Sequence, residues 1–514
     1  METLIERAPE QVSEPDMPAQ TPVATATSGA GSTRWRSLWR LHFYAGMFSM
    51  PFILLMAVTG LVILYSQPIH DLTQGHIREV TPGRSLVSYD AQEHSVELAF
   101  PTAKVTAMQV PKDGHHSTIF SLDDGSSAGL EVMVNPYTGN VLGTNKPGSG
   151  IVGLSNRLHG FSNNKSLTVS LPTVSALWDH GAVMRPYVVG DLALELMGGW
   201  TLVLALSGLY LWWPRKSATG RNTRKFLRIR RGTKGRARWR DLHGMSGVLL
   251  LGALVLTIVS GMAWSTYWGA NFSALANKIT PNSWTDTPAS VLGTKGSLDR
   301  LGNQIPWNTG DKPIPASYSP TSADGTVPAP LRLDDVVKIA TLEGMKPGYT
   351  VNFPSNTKDD TTGNMVYGSF TVSNSWPRKT GEARDLFLDQ FTGATLGQNK
   401  TYGMGAVSYG MDSLVSTHMG TQLGLIDRIF MTALCVLAIW SVTSASVMYT
   451  KRRRKGSMGL PRRPVDVKLA RGVGIIAITM AIVYPVWGVS AAVVLAFDRF
   501  VIRRSRLRRA FGQR

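Results

Sequence analysis

Leu41-His42-Phe43-Tyr44-Ala45-Gly46 opens a stretch that runs to Tyr65 without a charged residue, with Gly60 standing 18 residues after the histidine. Leu242-His243 opens a second such stretch, with Gly247 and Gly261 at the same two offsets as Gly46 and Gly60. Eighteen residues make about five turns of an α-helix, so the glycines of each stretch lie near the face of its histidine. A helix of about 20 apolar residues crosses the hydrocarbon core of a bilayer. These two stretches therefore predict a membrane protein built from a duplicated unit.

The rest of the chain extends that reading. Leu192–Trp213 carries only Glu195, and Ile429–Tyr449 carries no charge. With 43–65 and 244–268 they give a four-helix transmembrane core. A fifth uncharged run, Gly472–Phe497, holds Pro485 at its middle. It reads as a further C-terminal apolar helix, either crossing fully or turning back on itself. Arg34, Arg36 and Arg40 precede the first span, 12 Lys or Arg and no acid fill Pro214–Arg240, and Lys451–Lys455 is wholly basic. The positive-inside rule puts these three segments on the cytoplasmic side.

Composition excludes other classes. The 514 residues include 53 Lys and Arg against 34 Asp and Glu, a formal net charge of +19, yet only 17% are charged. Basic residues flanking apolar runs are the membrane pattern, not a nucleic-acid pattern. The single cysteine, Cys435, excludes an internal disulfide framework, a Cys-ligated iron–sulfur site, a four-Cys zinc site and a C-x-x-C-H haem attachment. Residues 1–33 lack a signal-peptide pattern and read as a disordered cytoplasmic tail.

The organisation expected is therefore a tail (1–33), spans at 34–65, 191–213, 243–268 and 426–450, and basic cytoplasmic segments at 214–242 and 451–471. An apolar segment (472–500) and a basic tail (501–514) follow. Two small extracytoplasmic α+β modules occupy 66–190 and 269–425. Asn135-Pro136-Tyr137-Thr138-Gly139 and Asp389-Gln390-Phe391-Thr392-Gly393 are matching turns between strands, with glycine supplying positive φ. Leu333–Leu342 has helical periodicity, and Tyr349–Phe353 and Gly368–Val372 are strand candidates.

Ten histidines are present, and four of them are placed symmetrically. His42 and His243 open the first and third spans at the inner edge. His159 and His418 precede the second and fourth spans on the outer side. Neutral imidazoles facing each other suit the two axial positions of a haem iron, and glycines beside them leave room for a flat macrocycle. Pairs His42–His243 and His159–His418 would stack two haems across the membrane, with Arg40 and Arg240 placed to pair with propionates. A lone histidine at a helix end is most often interfacial, and glycines in membrane helices most often mark packing. The fourfold symmetry brings the haem reading level with that one.

His180, in Trp178-Asp179-His180-Gly181, is a rival to His159. His115-His116 beside Asp113 reads as an exposed polar turn rather than a metal site. His70, His76 and His94 belong to no constellation. Glu195 is either an intramembrane functional carboxylate or an interfacial one. The tryptophans at span ends, such as Trp39, Trp212, Trp264 and Trp268, read as an aromatic belt.

The chain resembles the PepSY-associated transmembrane proteins, the bacterial iron-regulated membrane group, from about Trp35 to the C-terminus. The resemblance is carried by Leu41-His42 through Thr59-Gly60, Leu158-His159-Gly160, Gly190-Asp191 with Glu195, and Ser207-Gly208-Leu209-Tyr210-Leu211-Trp212-Trp213-Pro214. It continues through Asp241-Leu242-His243, His418 with Gly420 and Gly424, and Tyr484-Pro485 to Asp498-Arg499. It implies an inner-membrane location, periplasmic PepSY-like modules, haem b, and reduction of ferric iron carried by siderophores, with the four histidines as axial ligands.

Two functions follow as expectations. One is a di-haem membrane reductase of a ferric siderophore or other ferric chelate. It would need a separate electron donor, a quinol or a flavoprotein, since the cytoplasmic loops carry no nucleotide-binding fingerprint. The other is a non-catalytic membrane anchor whose external modules bind a peptide, a protease or an uptake partner. A transporter fits less well, because the spans hold almost no charged residues to line a substrate path.

Overall fold

The computed structural model describes residues 30–126, 128–160, 167–177, 183–213, 229–230, 232–284, 289–299, 305, 307, 309–310, 312–318, 326–374, 376–453, 471–497 and 500. Residues 1–29 of the N-terminal tail, His180, most of both basic cytoplasmic segments and the C-terminal basic tail lie outside them, while residues 30–33 of the expected tail open the first helix.

Helix α1 (Ala30–Leu64) breaks at Tyr65 and continues as α2 (Ser66–Arg78). Then come α3 (Tyr89–Ala99), strands β1 (Lys104–Gln109), β2 (Thr118–Asp123), β3 (Leu130–Val134) and β4 (Val141–Asn145), and α4 (Gly150–Gly160). A small hairpin, β5 (Thr168–Pro172) and β6 (Met184–Val188), leads into α5 (Val189–Trp212). The second half starts with α6 (Gly235–Met262) and α7 (Trp268–Ile279), followed by α8 (Leu333–Leu342) and β7 (Thr350–Asn352). Two short strands, β8 (Thr357–Lys358) and β9 (Met365–Val366), precede β10 (Ser369–Ser373), β11 (Arg384–Asp389) and β12 (Thr395–Lys400). The chain ends in α9 (Ala406–His418), α10 (Leu425–Arg452), α11 (Arg471–Val483) and α12 (Pro485–Phe497).

Helices α1, α5, α6 and α10 are the four that are long and apolar enough to cross a membrane among the described residues. They close into a ring, α1 packing on α5 and α10, and α6 on the same two. Their outer faces leave Phe48, Val58, Leu249 and Val436 exposed, as lipid-facing side chains are. Arg452 lies over the ring of Trp39 at 4.4 Å, bringing the basic ends of α10 and α1 together.

The fifth apolar run is two helices of 13 residues each, broken at Tyr484 before Pro485. Each is about 20 Å long, too short to cross alone. They fold back tightly: a methyl added at Gly488 would stand 2.8 Å from Ala481 Cβ, seven residues earlier. The returning helix seats Trp487 against Gly199 and Trp200 of α5. The segment thus turns back on itself, the second of its two readings, because proline denies the helix a hydrogen bond where it would need to continue.

Outside the bundle, the two expected modules are one body. An eight-stranded antiparallel sheet runs β12-β11-β10-β7-β1-β2-β3-β4, so each half supplies four strands, and β1 meets β7 at the join. One row across the sheet reads Leu386, Val372, Val351, Met108, Phe120, Val132, each fully buried. Val96 of α3 and Val336 and Ala340 of α8 cover that row. The expected glycine turns are present, Gly139 at φ +74 and Gly393 at φ +72. The other face is covered by α2 in the first half, where Ile77 lies on Gly143. In the second half it is covered by the segment around Lys295, which forms a buried ion pair with Asp385. Half-sheets with an apolar edge strand would associate or aggregate, and pairing β1 with β7 removes both edges.

Candidate functional site

The four helices bring the predicted histidines together in two pairs. His42 on α1 and His243 on α6 have ring centres 6.4 Å apart, with planes at 67°. His159 on α4 and His418 on α9 have ring centres 6.2 Å apart, with planes at 72°. His115 lies in an exposed turn, and His116, half-buried and bridged to Glu79, has its Nδ1 2.5 Å from Asp113. Among the described residues no group of three or more His, Cys, Asp or Glu forms a metal cluster.

Every one of the four rings is held by Nδ1. His42 donates to the Leu204 carbonyl at 3.0 Å, with Ser207 Oγ also 3.0 Å away. His243 donates to the Ser441 carbonyl at 3.1 Å, with Ser444 Oγ at 3.3 Å. In the outer pair the partners are hydroxyls: Thr59 Oγ1 for His159 and Ser260 Oγ for His418, both at 2.9 Å. An Nδ1–H committed to its own wall leaves the Nε2 lone pair for a metal, the arrangement that fixes ligand tautomer in metalloproteins.

The glycines shape these seats, though not as the offsets alone imply. Gly60 and Gly261, each 18 residues after an inner histidine, face the outer pair. A methyl on Gly60 would meet His159 Cε1 at 3.3 Å, and one on Gly261 would meet His418 Cε1 at 3.6 Å. His42 rests on Gly208, where a methyl would come to 2.9 Å. Gly247 faces open space.

The outer pair looks into a cavity of about 310 Å³ with largely apolar walls, including Phe52, Met56, Leu254 and Leu434. That lies in the range of cofactor pockets, about 300–1,000 Å³. Two imidazoles sharing one metal ion place each nitrogen about 2 Å from it and each ring centre about 1 Å further back. Ring centres should then be about 6 Å apart, so the spacing of both pairs fits a shared metal ion, and at the outer pair the cavity and its glycines also fit a haem.

Glu195 and Asp191 also line this cavity, but as anchors. Glu195 accepts the Trp268 N–H at 2.8 Å and Asp191 accepts the Thr266 N–H at 3.0 Å. Both carboxylates stabilise the turn between α6 and α7 and the positive end of α7. Arg240 turns to Asp241 at 3.4 Å, an acid already bridged by Arg230 at 2.8 and 3.1 Å.

Residues 39–452, spanning all four long helices and the whole sheet, match the PepSY-associated TM region. The chain belongs to that family. Comparison with the curated proteins finds no match. In this PepSY-associated TM protein, the residues that sequence reasoning missed are Thr59, Ser207, Ser260 and Ser444. Their signal was present. Thr59, Ser207 and Ser260 each stand immediately before a glycine, and Thr59 and Ser260 each follow an inner histidine by 17 residues.

Proposed function

We propose that this PepSY-associated TM protein conducts electrons through the bacterial inner membrane to a ferric chelate, such as a ferric siderophore, on the periplasmic side. The observation that carries the reading is the pair of ring separations, 6.4 and 6.2 Å, at the two ends of one helix bundle. Haem b bound by such pairs supplies reversible one-electron chemistry. The chain's own part is to hold imidazoles in one tautomer, exclude water with apolar helix walls and keep two sites in register. His42 and His243 would hold the group nearer the basic ends, and His159 and His418 the group nearer the sheet.

Iron(III) is the substrate. Once reduced it binds hard oxygen donors more weakly, so the chelate lets it go. The electron donor is a separate quinol or flavoprotein. By the positive-inside rule, the three basic segments support an N-terminus in the cytoplasm and a sheet in the periplasm. The matching helix and four strands of each half support a duplicated unit with PepSY-like modules fused into one sheet.

The test is optical. Protein made with ample haem and purified in detergent should show Soret and α bands that sharpen on dithionite reduction, and the reduced form should reoxidise on adding a ferric chelate. A protein with no such bands would be a non-catalytic anchor for a peptide, protease or uptake partner.

A further inference from the structure

We infer that Thr59 and Ser260 are positioning residues that set the tautomer and the redox potential of the outer histidine pair, whereas the inner pair is set by the backbone. The assignment rests on the proposed haem reading and concerns only this chain's own side chains. Both hydroxyls are almost fully buried, at 4% and 0% exposure. Thr59 Oγ1 donates its proton to the Leu55 carbonyl at 2.7 Å, and Ser260 Oγ donates to the Leu256 carbonyl at 2.8 Å. With that proton spent, each oxygen can only accept from the imidazole. His159 and His418 are thereby kept as Nδ1–H tautomers with Nε2 free.

The inner pair differs in kind. Leu204 and Ser441 offer main-chain carbonyls at 3.0 and 3.1 Å, acceptors that no side-chain substitution removes. Ser207 and Ser444 also donate to those same carbonyls, at 3.1 and 2.9 Å, so their hydroxyls are secondary partners there. The Met56 and Thr257 carbonyls also reach the outer rings, but the well-formed bonds of those rings, at 2.9 Å, are to the hydroxyls. A ring that loses its hydroxyl is left with that carbonyl alone, and the change alters its basicity as a ligand.

The bland reading is that these are ordinary membrane-helix hydroxyls bonded to their own preceding turn. Repetition at one offset, 17 residues after His42 and after His243, argues against it. Helices α1 and α6 each carry an inner histidine and, about 25 Å along the axis, the hydroxyl that orients an outer one.

Thr59→Val, which is nearly isosteric, and Ser260→Ala would be compared with Thr59→Ser and Ser260→Thr, and with Ser207→Ala and Ser444→Ala. The readouts are spectropotentiometric titration and low-temperature EPR of the purified protein. His42→Ala identifies the outer couple, and His418→Ala the inner one. The expected result is that the first two variants shift the outer couple alone, that the conservative pair restores it, and that the Ser207 and Ser444 variants shift the inner couple by less. Haem bound with no shift in T59V and S260A would overturn this assignment alone, as would an equal shift from the conservative or inner-site variants. Absence of haem from the unsubstituted protein would overturn the functional reading and this assignment with it.

Discussion

The inner and outer histidine pairs have the same ring spacing and quite different supports. His42 and His243 sit on long membrane helices, at 35 and 28 residues, and donate to backbone carbonyls of neighbouring long helices. His159 and His418 sit at the ends of short helices, 11 and 13 residues, and donate to side-chain hydroxyls. The inner site is fixed by the bundle itself. The outer site depends on how α4 and α9 are pinned between bundle and sheet, so it is the one that remote substitutions should reach.

The largest test of this contrast is removal of single histidines from the haem-loaded protein that the proposed function describes. His42→Ala or His243→Ala should leave about half of the haem per protein, with the outer spectrum intact, and His159→Ala or His418→Ala the reverse. Pyridine haemochrome assay against protein concentration measures it. Loss of all haem from any one variant would show that the sites do not load independently.

Next comes the pinning of α9. Arg378 bonds Asp412 at 3.1 Å, both are buried, and Arg378 covers the cavity-lining Trp376 at 5.1 Å. Arg378→Met strands a buried carboxylate, a loss of about 3–5 kcal/mol. Denaturant titration followed at both haems should find the outer signal failing first and the inner one unchanged. Simultaneous failure would mean that bundle and sheet unfold as one unit.

A smaller effect tests the seats. Gly208→Ala puts a methyl 2.9 Å from His42, against 3.3 Å from His159 for Gly60→Ala. Overpacking costs about 1–3 kcal/mol, so haem retention on mild heating should fall more at the inner site for Gly208→Ala than at the outer site for Gly60→Ala.

The smallest separates sheet from membrane core. Burial, then the charges of Glu97 and Asp90, push the Glu93 carboxyl on α3 up from 4.5 to about 7. The folded state then holds a proton that the unfolded chain releases, so this contribution is full below the ordinary carboxylate range. It is lost as pH climbs from 4.5 through about 7. Glu93→Gln should flatten that pH dependence, stabilising the sheet at pH 8 by on the order of 1 kcal/mol, with no change at either haem. Thermal melts of sheet circular dichroism at two pH values would measure it.

Much of this was legible in the sequence, for reasons that can be named. The spans, the four histidines and the glycine turns declare themselves through length, charge and period. The role of Gly60 did not, because what it touches, His159, lies 99 residues away on a helix that folds back. The roles of Thr59 and Ser260 are harder to read, because hydroxyls in membrane helices so commonly bond their own carbonyls. The strands around Met108 and Val351 were readable as strands, but nothing local says that they pair, since any alternating strand offers the same edge. Pro485 marked a break, and only the packing of Gly488 on Ala481 makes the break a hairpin.

The seam between β1 and β7 has a mechanical consequence. Alternating-access carriers work by tilting one half against the other around a central cargo. Here the halves are stitched by main-chain hydrogen bonds through residues 107–109 and 350–352, over a common core. Tilting would tear that seam. The sheet ties the two halves into one frame, which suits the proposed passage of an electron without any tilting of the halves.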